Sequence, residues 1–261
     1  KGEEGVLRMT SLLAERAQSE CARSMRAVEG RPIRSAPKGQ IHKAAMDWQS
    51  IQQTIQNCRR CEAESVAYLC VPCEEKRKPA YEPIRPIRLY FVSVAPPWGG
   101  AYFWDETKRD AVREGLFTAL RASSNEEVSN CRQFRDTGFF LTPSVKCPSM
   151  RDNRDHQPGR LAVANCSKFL CDELLAAKPE RILALGRVPF KSLCSLFGID
   201  IDDASERVAE FRKRIWWVRL GSREVPLSGT YFPGNNRNNQ RSLVEQDIRR
   251  MLELVPRDRN E

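Results

Sequence analysis

Cysteine is the residue whose spacing carries the clearest chemistry in this chain. Cys58 and Cys61 form one C-x-x-C pair and Cys70 and Cys73 form another. Where no secretory pattern is present, paired thiols at this spacing suit a metal better than a disulfide. On their own these four read C-x2-C-x8-C-x2-C, which fits a small four-cysteine zinc knuckle. Cys21, Cys131, Cys147, Cys166, Cys171 and Cys194 are dispersed. Ten cysteines in 261 residues are too few for a disulfide scaffold. The two histidines, His42 and His156, leave almost nothing from which to build a mixed Cys/His site or a histidine-centred triad.

Two loops add different chemistry. WGGAYFWDE (98–106) is dense in aromatics and ends in two acids, Asp105 and Glu106. YFPGNNRNNQ (231–240) carries four asparagines, 235, 236, 238 and 239. Aromatic faces stack on flat heterocycles, and side-chain amides read polar edges. Gly99 and Gly100 permit close backbone approach. Ordinary turn chemistry is the plain alternative for these asparagines and glycines. The net charge of +9 and a pI near 9.2 suit a polyanion, nucleic acid first. No run of about 18 apolar residues occurs, so no membrane span is expected. The first residue is Lys1 and no signal-peptide pattern follows it, which suggests a cytoplasmic protein.

These residues need a frame. Residues 1–40 read as a separable extension, with a helix over 15–28 and a basic linker, GRPIRSAPKGQ, at 30–40. Residues 41–261 read as one domain. A helix is expected over 42–56, and strands over 87–94, 138–145, 181–185 and 215–220. Helices are expected over 109–121, 160–177, 186–197 and 240–254. Alternating strands and helices predict an α/β fold, a three-layer α/β/α sandwich around a mainly parallel four-stranded sheet. Ligands then bind beyond the carboxyl ends of the strands, in the loops after Val94, after Val145 and around 231–239.

Four segments in order resemble the uracil-DNA glycosylase superfamily, most closely its iron–sulfur family 4. They are CRRC at 58–61, VSVAPP at 92–97, VKCP at 145–148 with NCSKFLCDELLAAKPERILALGRVPF at 165–190, and FPGNNRN at 232–238. Together they span roughly residues 45–255. The resemblance implies a glycosylase that flips a base out of DNA and hydrolyses its bond to the sugar. It also implies a [4Fe–4S] cluster on Cys58, Cys61, Cys147 and Cys166. That set competes with the zinc alternative on 58, 61, 70 and 73. Cys131, Cys171 and Cys194 are expected in the core.

The family pattern breaks at three points. Ser93 and Val94 stand where the family has an acid after its first glycine. Pro143 stands where an asparagine reads uracil, with Thr142 and Ser144 beside it. Phe232 stands where a histidine stabilises the departing base. A rebuilt pocket for a bulkier, more polar base, such as a hypermodified cytosine of phage DNA, is one implication, with a role in defence against phage. Plain uracil repair and a non-catalytic iron–sulfur DNA-binding module are the alternatives.

The residues expected to act follow from this. Asp105, or Glu106, would handle water or sugar charge, and Asn235 and Asn236 would contact the base. Ala95, Pro96, Trp98, Tyr102, Phe103, Thr142, Pro143 and Phe232 would surround it, with Trp104 as another stacking candidate. Lys146, Arg151, Arg154, Arg160 and Arg237 would hold DNA phosphates. No lysine is placed as a Schiff-base nucleophile, so a monofunctional, monomeric enzyme leaving an abasic site is expected.

Overall fold

A computed structural model describes residues 47–61, 69–70, 82–98, 102–151, 154–201, 207–234 and 238–255. The helix expected over 15–28, the linker after it and the domain boundary at 40 lie outside the described residues.

The runs 89–93, 139–143 and 216–220 form strands where β-branched and aromatic residues concentrate. β1 is Leu69–Cys70, β2 Leu89–Ser93, β3 Phe139–Pro143, β4 Ser149–Arg151, β5 Arg154–Asp155, β6 Ile182–Leu185, β7 Trp216–Leu220 and β8 Arg223–Thr230. The main sheet has the order β3-β2-β6-β8-β7. Its first four strands are parallel, and β7 runs antiparallel to β8. β2, β3 and β6 are buried along their whole length, as expected of strands covered on both faces.

The sheet therefore has five strands, not four. β8 escapes a sequence reading because Pro226 interrupts it. Pro226 pairs with Trp217 of β7, whereas β6 meets β8 only from Leu227 onward. The missing N–H thus falls where β8 has a neighbour on one side only, a position proline tolerates. A second, small sheet, β1-β4-β5, is also absent from the sequence reading.

The helices are α1 Trp48–Gln56, α2 Ala111–Ser124, α3 Cys131–Asp136, α4 Arg160–Ala177, α5 Arg187–Phe197, α6 Val208–Phe211 and α7 Asn238–Glu253. Asp47, Asp110 and Asn130 cap α1, α2 and α3 by accepting backbone N–H bonds from Ser50, Arg113 and Gln133. Alternation along β2 and β3 divides the core. Phe91 and Phe139 meet Phe134 of α3, while Tyr90 and Phe140 lie on the other face, where Phe140 meets Trp48 of α1. α2 packs on α7, and α4 packs between α1 and α5. Helices so cover both faces of the sheet, the α/β/α arrangement.

Candidate active site and thiol centre

The parallel strands bring Ser93, Pro143, Leu185 and Thr230 to one end of the sheet. The segments leaving that end are knit together by backbone bonds. Ser93 O accepts from Ser144 N at 2.8 Å, and Val94 O accepts from Val145 N at 3.0 Å and Ser144 Oγ at 2.8 Å. Gly186 N donates to Thr230 O at 2.8 Å. Gly186 sits at φ +100°, a conformation that glycine adopts without strain. Phe232 lies between glycines. A Cβ on Gly186 would come 3.9 Å from Phe232 Cβ, and one on Gly234 would come 2.8 Å from its ring.

Around this end Ala95, Trp98 and Phe232 are half-buried, and Pro96 and Pro143 are buried. Thr142 is fully buried, its hydroxyl 2.9 Å from Tyr90 Oη. Burial, reinforced by the Glu173 charge, pushes both the Tyr90 and Tyr102 phenols upward in pKa. Phe103 and Trp104 belong to the core. Phe103 packs against Trp104, Phe117 and Phe134, and Trp104 Nε1 donates to Leu141 O at 3.1 Å.

Three expected residues are engaged differently from the sequence reading. Lys146 was expected to grip phosphate. Its side chain is instead 5% exposed, ion-paired with Glu173 and bonded to Pro143 O at 2.5 Å. Gln52 completes that buried group through Glu173 Oε1 at 3.0 Å. Asp105 accepts from the Thr107 amide at 3.2 Å and the Thr107 hydroxyl at 2.5 Å, closing an Asx turn. Glu106 accepts the Cys131 N–H at 2.9 Å, at the start of α3. Cys171 lies in the core as expected and is disulfide-bonded.

Arg113 shapes the loop that bears these acids. It is buried, and its guanidinium donates to the carbonyls of Tyr102, Phe103 and Asp105 at 3.3, 2.8 and 3.1 Å, and to Lys108 O. Sequence reasoning missed this residue because an arginine in an amphipathic helix reads as surface. Arg154 and Arg160 are exposed, Arg151 lies on β4, and His156 is half-buried with Nδ1 2.9 Å from Gln157 O. Asn235, Asn236 and Arg237 lie outside the described residues. A cavity of about 330 Å³ opens between α2, α7 and Pro233, lined by Arg109, Glu114, Thr118, Phe232 and Arg241 among others.

Three segments converge on the thiols. Cys58 and Cys61 follow α1, Cys147 follows β3, and Cys166 lies in the second turn of α4; all four are thiols. Lys146 N lies 3.5 Å from Cys166 Sγ, and Asn165 Nδ2 lies 3.5 Å from Cys61 Sγ. Arg60 straps the C-x-x-C to α4 through Asn165 O at 3.3 Å and the Phe169 ring at 5.2 Å. Burial raises the Cys166 thiol to about 12, with Cys147 and Cys61 adding to the effect. Among the described residues no group of three metal-ligating side chains stands fully assembled. The donor chemistry nonetheless fits a thiolate-held cluster, since N–H groups already approach two of the sulfurs. For the zinc alternative, Cys70 lies on β1 and Cys73 lies outside the described residues.

No family model matches the chain. Two curated proteins of Pyrobaculum aerophilum are similar to it. A type-4 uracil-DNA glycosylase is 28% identical over 188 residues, covering 72% of this chain and 83% of that protein. A type-5 uracil-DNA glycosylase is 28% identical over 144 residues, covering 44% of this chain and 61% of that protein. With the parallel sheet, the ordered motifs and the converging thiols, these relatives support membership of the uracil-DNA glycosylase superfamily, most like family 4.

Proposed function

We propose that this protein is a monofunctional DNA glycosylase that hydrolyses the bond between a flipped base and its sugar. The observation that carries this reading is the gathering of the 94–98, 144–148 and 231–234 segments at one end of a parallel sheet. Pro96, Pro143 and Phe232 give that end an apolar lining, and Trp98 supplies an aromatic face. Asn235 and Asn236, next in the sequence, would supply amides. Arg154 and Arg160, both exposed, hold phosphate.

The substrate is a modified base, of hypermodified cytosine type, rather than plain uracil. Pro143 offers no side-chain hydrogen bond, and the Thr142 hydroxyl is engaged by Tyr90. A site built this way does not reproduce the amide pairing that selects uracil. Removal of such bases from phage DNA would make the protein a defence enzyme.

Cys58, Cys61, Cys147 and Cys166 would hold a [4Fe–4S] cluster. When bound, it supplies a covalent tie between the segment after α1 and the sheet.

The test is base release, read by mass spectrometry, from DNA carrying uracil, hypoxanthine, 5-hydroxymethylcytosine or glucosylated cytosine. Release of a bulky base without uracil supports the reading. Release of uracil assigns the protein to repair. Release of nothing, with DNA still bound, identifies a binding module.

A further inference from the structure

The β4–β5 hairpin delivers a carboxylate to the open end of the sheet. Met150 stands opposite Asp155 and Arg151 opposite Arg154, and His156 N donates to Ser149 O at 3.0 Å. In this register the Asp155 carboxylate meets the segment that leaves β2, where Oδ1 accepts the Trp98 N–H. Strand alternation puts Arg154 and His156 on the opposite face of the hairpin. Asp155 is exposed and so open to a ligand.

The acids on the loop after β2 are engaged elsewhere, Asp105 with Thr107 and Glu106 with the start of α3. Ser93 and Val94 supply none.

We propose that Asp155 is the catalytic carboxylate of this site, an assignment that rests on the glycosylase reading. As the C1′–N bond breaks, its electron pair leaves with the base and positive charge develops on the sugar. Asp155 stabilises that charge and orients the attacking water. The water oxygen forms the new C1′–O bond, and its released proton passes through the carboxylate to the departing base. The products are the free base and an abasic sugar. Fixed opposite charge at a developing cation is the strongest single aid available to such a step.

Asp155→Asn separates this role from a structural one, because the amide oxygen still accepts the Trp98 N–H. Asp155→Ala removes both charge and acceptor. The first measurement is binding to duplexes bearing either a cationic pyrrolidine or a neutral tetrahydrofuran abasic analogue, which needs no knowledge of the base. Wild type is expected to favour the cationic duplex by at least about tenfold, as one close charge pair should give. Asp155→Asn is expected to erase the preference at unchanged Tm. On a DNA that wild type cleaves, Asp155→Asn should lower the single-turnover rate by about a hundredfold or more, with DNA affinity little changed.

The proposal is overturned if wild type shows no preference, or if Asp155→Asn keeps it. It is also overturned if only Asp155→Ala slows release, which would make Asp155 a loop clamp. A charge preference lost in Asp155→Asn, with no base released from any DNA, would sustain the carboxylate's placement and sink the glycosylase reading instead.

Discussion

Lys146 and Glu173 form an ion pair sealed inside the protein, their side chains 5% and 2% exposed. The pair joins the turn after β3 to the C-terminal half of α4. It also holds the Pro143 carbonyl and, through Gln52, helix α1. Lys146→Met should cost roughly 3–5 kcal/mol, because Glu173 is left buried and uncompensated. The double variant Lys146→Met/Glu173→Leu should recover most of that loss. Urea unfolding of both variants decides it, and equal losses would deny that the pair acts as a unit.

Gly115 lets the 232–234 segment lie against α2. A Cβ there would fall 2.1 Å from Pro233 O. Gly115→Ala should push Phe232 out of place, destabilise by about 1–3 kcal/mol and slow base release. A variant as stable and as active as wild type would show that the segment is free to shift.

The thiols divide into two sets. Cys166→Ser should abolish the visible absorption that the proposed cluster would give the purified protein, and lower its Tm. Cys131→Ala and Cys194→Ala should retain the absorption, since these thiols are buried in the core away from the C-x-x-C. Zinc without colour in the wild-type protein would move the metal to the 58, 61, 70 and 73 set.

Asp110 and Asp247 govern an acid-side pH effect. Burial is the leading cause in raising both carboxyls above their ordinary value, against the bonds each accepts. The folded state therefore holds protons that the unfolded chain has released. Stability should fall as pH rises from the ordinary carboxylate value through the raised one, and level off above it. Asp110→Asn keeps the cap on α2 and should flatten that fall, as Tm measured across the acid range would reveal. An unchanged slope would remove Asp110 from the account.

Much of this was legible in the sequence. The apolar runs at 87–94, 138–145 and 181–185 mark strands because both their faces are buried, and α4 matches its expected 160–177 span. The thiols could be grouped because a resemblance linked positions that spacing alone leaves apart. What failed to show depends on partners distant in sequence. Lysine is normally a surface residue, so nothing local sends Lys146 inward to Glu173. Asp105 and Glu106 look available until Thr107 and the start of α3 claim them. Asp155 gains meaning only when a hairpin folds it onto Trp98, 57 positions earlier.

Trp104 has a consequence beyond the core it fills. β3 is the last strand on its side of the sheet, and its Leu141 carbonyl accepts the Trp104 indole N–H. An outer strand with a bare carbonyl invites a strand from another molecule. The indole occupies that acceptor, so a strand added at Leu141 would first have to displace the ring.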